Sequence, residues 1–69
     1  MSRNTELVQA LEQILKNSDI VLKLLASENV NESNYKQFAY NTDSTSGCVI
    51  EGLFELREFI EEAIEQFDI

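Results

Sequence analysis

Histidine, proline and tryptophan are absent from this 69-residue sequence, cysteine occurs once and glycine twice. Without histidine there is no imidazole base to activate a serine or cysteine nucleophile, and a zinc site would lack most of its usual ligands. Cys48 has no partner in its own chain, which excludes an intrachain disulfide. No apolar run approaches the ~18 residues of a membrane span, and the opening "MSRNTELVQ" lacks the apolar centre of a signal peptide. A cytoplasmic protein is therefore expected, where a lone thiol stays reduced. There is no glycine-rich phosphate loop and no EF-hand spacing.

What remains favours a folded helical chain: 43% of residues are hydrophobic and no proline interrupts them. A single domain covering 1–69 is expected. A core this small rarely leaves more than ~3–5 kcal/mol of net stability, so self-association is expected to supplement it.

The net charge of −8 is unevenly placed. Residues 1–42 nearly balance, whereas residues 43–69 carry one base, Arg57, against eight acids. Direct binding to nucleic acid or an anionic membrane is disfavoured by that surplus. A basic protein partner is the natural counterpart.

Two long helices are predicted, about 5–27 and about 47–67. In the first, Leu7, Leu11, Ile14, Val21 and Leu25 follow four-and-three spacing, with Ser18 in register and Val8, Leu15 and Leu22 alongside. Asn4 or Thr5 is expected to cap it, and Glu12–Lys16 and Asp19–Lys23 to pair at i,i+4. "KNSD" at 16–19 holds weak helix formers and could bend it. From Ile20 to Ala26 the helix is apolar around most of its circumference, which implies burial on more than one side. Ile20, Val21, Leu24 and Leu25 are accordingly expected to form an oligomer interface.

The polar connector, 29–46, is rich in residues that favour turns and caps. Tyr35, Phe38 and Ala39 suggest a short helix within it, from about 31 to 40, laying its aromatics over the end of the core. The second long helix repeats the spacing with Val49, Leu53, Leu56, Ile60, Ala63 and Phe67; its cap is open among Asp43, Ser44 and Ser46. Gly52 suggests close approach of a neighbouring helix. Cys48, near its start, is expected to pack as a small apolar residue.

On this helix Glu51, Glu55, Glu58, Glu62 and Glu65 fall within an arc of roughly 80° at about 100° per residue, with Glu61 and Asp68 to one side. The ridge contains no lysine, so it forgoes i,i+4 pairing and sets like charges together instead. Acids in the last turns also oppose the helix dipole. Phe54 is expected to project beside the ridge as an aromatic anchor with a charged rim. The partner-binding set is therefore Glu51, Phe54, Glu55, Glu58, Glu61, Glu62 and Glu65.

Glu55 with Glu58, Glu58 with Glu61, Glu62 with Glu65, and Glu65 with Asp68 also have the i,i+3 spacing that lets two carboxylates share a Mg²⁺ ion. The pattern resembles that of the all-helical MazG-like nucleotide pyrophosphatases, whose paired acidic motifs line a bundle; the resemblance covers one helix and implies a Mg-dependent nucleotide hydrolase. "FIEEAIEQFDI" resembles the acidic second helix of acyl carrier proteins too, but the attachment serine of that family falls at Leu53 here.

The expected fold is all-α: a helical hairpin with a short middle helix, dimerising into a four-helix bundle. The expected function is that of a small acidic, non-enzymatic regulator or inhibitor that binds a basic protein surface, such as a nucleic-acid-binding site. In size and charge the chain is similar to many phage-encoded inhibitors and bacterial immunity proteins. The alternatives are a self-assembly or adaptor module without a charged partner, and the Mg-dependent hydrolase. No catalytic residue, metal ligand or cofactor is expected.

Overall fold

A computed structural model describes residues 3–68. It has three helices, α1 (Arg3–Leu25), α2 (Tyr35–Tyr40) and α3 (Ser44–Phe67), and no strand among the described residues. α1 and α3 are antiparallel neighbours: Phe67 lies in a hollow with Val8, Arg57 reaches Ser18, and Ile50 and Phe54 meet Leu22. α2 packs on α3 and makes no close backbone approach to α1.

α1 runs without a break through "KNSD". Ser18 is buried and its hydroxyl donates to the Leu15 carbonyl at 2.8 Å, so the polar group is satisfied inside the helix that it would otherwise weaken. Because α1 already begins at Arg3, Asn4 and Thr5 lie in its first turn and do not precede it as caps. Asp19 also departs from expectation: its carboxylate pairs across the hairpin with Arg57, and neither Glu12–Lys16 nor Asp19–Lys23 forms an ion pair.

A network of asparagines shapes the turn between α1 and α2. Asn31 Oδ1 accepts from the Ser33 and Asn34 amides, and Asn34 Oδ1 accepts from the Asn31 amide at 2.7 Å. These side chains satisfy backbone groups that a helix would have paired, which delays α2 to Tyr35. α3 starts earlier than its apolar pattern suggests because Asp43 caps it. The Asp43 carboxylate accepts from the Ser46 amide and hydroxyl, both at 2.9 Å. Those bonds hold its pKa below the ordinary 3.8.

The inward faces are rotated from the most regular stripes in the sequence. On α1, Val8, Leu11, Leu15, Ser18 and Leu22 turn inward, while Leu7, Ile14, Val21 and Leu25 are exposed. On α3, Ile50, Phe54 and Ile60 are buried, while Val49 and Leu56 are exposed. Gly47 is the position of close approach: a Cβ there would stand 2.7 Å from the Ala39 carbonyl oxygen, so α2 can seat only against a glycine. Gly52, where close approach was expected, has open space around it.

Candidate functional site

Two polar residues organise the middle of the hairpin. Arg57, the one base of the acidic segment, turns toward α1, where one guanidinium nitrogen donates to Ser18 Oγ at 2.9 Å and to the Asp19 carboxylate. Its carbon centre lies 5.8 Å from the Phe54 ring centroid, within cation–π range. Its Nε is buried without a hydrogen-bond partner among the described residues. Asp19–Arg57 is the only ion pair among those residues. The sequence gives one hint of this arrangement, since Ser18 and Arg57 each interrupt an apolar stripe.

Phe54 is a correction. It is 6% exposed, belongs to the core cluster with Leu22, Ala39 and Ile50, and stacks on Tyr35 with ring centroids 4.5 Å apart and 15° between planes. Its neighbours on α3 are carboxylates, but α2 folds over the ring and removes it from the surface. It does not project as an anchor. Cys48, expected to pack, is exposed.

The carboxylates stand where the periodicity puts them. Glu51, Glu55, Glu58, Glu61, Glu62 and Glu65 are all exposed on α3. The other elements extend the ridge in a way one helix could not reveal. Glu32 and Lys36 share a shallow hollow with Tyr35, Glu55 and Glu58. Glu12 and Leu15 of α1 face Glu61, Ile64 and Glu65 across the far end of the hairpin. No lysine pairs with any of these acids among the described residues. Such a surface holds a negative potential along its length and offers carboxylate pairs to arginine or lysine side chains.

The i,i+3 acid pairs project into solvent, and the described residues contain no group of three or more Asp, Glu, His or Cys side chains placed to hold a metal ion. None of the described helices is long and apolar enough to cross a membrane. Ile20, Val21, Leu24 and Leu25 are exposed, Leu24 at 82%. No protein-family model, curated protein or solved structure matches the chain.

Proposed function

We propose that this is a small non-enzymatic binding protein, a regulator or inhibitor acting in the cytoplasm, that engages a basic surface of another protein through the acidic side of α3. The observation that carries this reading is the disposition of charge. The one base within 43–69 is turned inward onto Asp19, while the acids of α3 stay exposed and unpaired among the described residues. An ordinary solvated helix face relieves its like charges with interleaved lysines; this one keeps its repulsion. A surface evolved to hold nucleic acid has the complementary chemistry, because it presents arginine and lysine in rows. With Phe54 inside the fold, the contact is electrostatic, with Tyr35 and Lys36 at its edge and Glu12 and Glu32 extending it.

The test is the paired substitution Glu58→Gln, Glu62→Gln. Melting temperature should stay level or rise, since two repelling charges are removed. Affinity for the basic partner, isolated by pull-down from the native host, should fall through a slower association rate and a shallower salt dependence. A clear drop in melting temperature would show that these carboxylates support the fold, and the proposal would fail.

A further inference from the structure

Each long helix has two apolar seams, and the chain uses one. On α1 the exposed Leu7, Ile14 and Val21 each precede an inward residue, Val8, Leu15 and Leu22, by one position. On α3, Val49 and Leu56 likewise precede Ile50 and Arg57. One position is a rotation of about 100° about the helix axis. The rotation has the same sense on both helices, and the helices are antiparallel, so both exposed stripes fall on the same side of the hairpin. α2 and the acidic ridge occupy the opposite side, as the hollows that Lys36 shares with Glu51, Glu55 and Glu58 place them.

This bare side carries no charge along most of its length. Positions 7, 10, 14, 17, 21 and 24 of α1 and 49, 52, 56, 59, 63 and 66 of α3 follow three-and-four spacing, and none is Asp, Glu, Lys or Arg. In a chain of net charge −8, that is the side a like-charged molecule can approach without setting carboxylate against carboxylate. A second three-and-four seam is also what a helix needs in a four-helix bundle, where each helix has two neighbours.

We propose that the occupant is a second copy of this chain, closing face to face on this side into a four-helix bundle and leaving both acidic ridges outward. The size fits. A helix of 23 residues is about 34 Å long. With short dimensions of 19 and 17 Å, the face offers about 590–650 Å² per chain, or about 1,200–1,300 Å² in total, at the lower end of the range of stable interfaces. Ile14, Val21 and Leu56 lie at its middle, Leu24 at its edge. Ile20 is rotated a further step away, so the interface reaches along both helices and is not confined to the second half of α1. This proposal rests on the uncharged side and stands or falls separately from the acidic one.

Sedimentation equilibrium on the whole chain, from about 5 to 200 µM, should give twice the 7.9 kDa chain mass, with a melting temperature that rises with concentration. Leu56→Glu and Ile14→Glu should each weaken association roughly a hundredfold, because a carboxylate tolerated on a lone hairpin would be buried unpaired in the dimer. Glu58→Gln, Glu62→Gln should leave the mass unchanged. A 7.9 kDa species with concentration-independent melting overturns the proposal, as does a two-chain mass that survives Leu56→Glu, or a mass beyond two chains. If the glutamate variants do not fold, the concentration dependence of the unaltered chain decides.

Discussion

Phe54 tests most directly whether the core lies under α2. Truncation to alanine removes a side chain that is 6% exposed. Phe→Ala changes in cores cost about 3–5 kcal/mol, as much as the ~3–5 kcal/mol that the core of one chain this small supplies before any association. Phe54→Ala should therefore be largely unfolded at 25 °C at concentrations too low for chains to associate. Phe54→Leu is the finer probe, because it keeps most of the apolar volume and removes the ring. It forfeits the stack on Tyr35, worth about 0.5–1.5 kcal/mol, and the contact with Arg57, worth about 0.5–1 kcal/mol at a partly exposed site. The expected loss is about 1–2.5 kcal/mol, or roughly 4–20 °C in melting temperature at about 4–8 °C per kcal/mol. Urea unfolding followed by circular dichroism at fixed chain concentration measures it. Tyr35→Leu and the double variant then complete a cycle whose coupling should match the stack. A Phe54→Leu variant as stable as the parent, with no coupling to Tyr35, would return the ring to the surface and refute the packing described above.

Other consequences are as direct. Gly47→Ala should destabilise, even though alanine favours helix, because its Cβ would meet the Ala39 carbonyl oxygen at 2.7 Å and both groups are backbone-fixed; an unchanged or raised melting temperature would show that α2 does not seat there. Asp43 gives a pH signature. Its folded pKa lies below the usual carboxylate value because it accepts from Ser46, so its stabilising effect is present above the unfolded pKa and is lost as pH falls through the folded one. The melting-temperature gap between the parent and Asp43→Ala should be open at neutral pH and close in acid; a pH-independent gap would remove the cap.

The helices were legible in the sequence because four-and-three spacing survives any packing arrangement. Which face turns inward was not. Leu7 and Val8, Ile14 and Leu15, Val21 and Leu22, and Val49 and Ile50 form adjacent pairs of similar hydrophobicity, so a helical wheel offers two stripes and no ground for choosing. The choice is visible only when α1 and α3 lie side by side, where Ser18 and Arg57, polar residues within the inward faces, bond to each other across the hairpin. Phe54 was misread for a related reason. Its neighbours along α3 are carboxylates, but its partner, Tyr35, comes from a segment whose turn chemistry hid how it folds back. The acidic ridge was read correctly on α3 because a charged stripe needs no tertiary partner to be outward. Glu12 and Glu32 reach it from other elements, and no one-dimensional pattern announces them.

The separate attachment of α1 and α2 to α3 bears on how the chain reaches this state. Tyr35 and Phe54 are near in sequence, so the corner between α2 and α3 closes a short loop. The Arg57–Asp19 contact spans 38 residues and closes a longer one. Loop-closure entropy favours the corner as the earlier event, with α1 docking onto a preformed surface. Synthesis runs in the reverse order. α1 is made before α3, with both seams bare and its dock on α3 still unmade, and it stays so until α3 emerges. During that interval the nascent helix exposes more apolar surface than at any later point, which is when such a chain is most prone to stick to others.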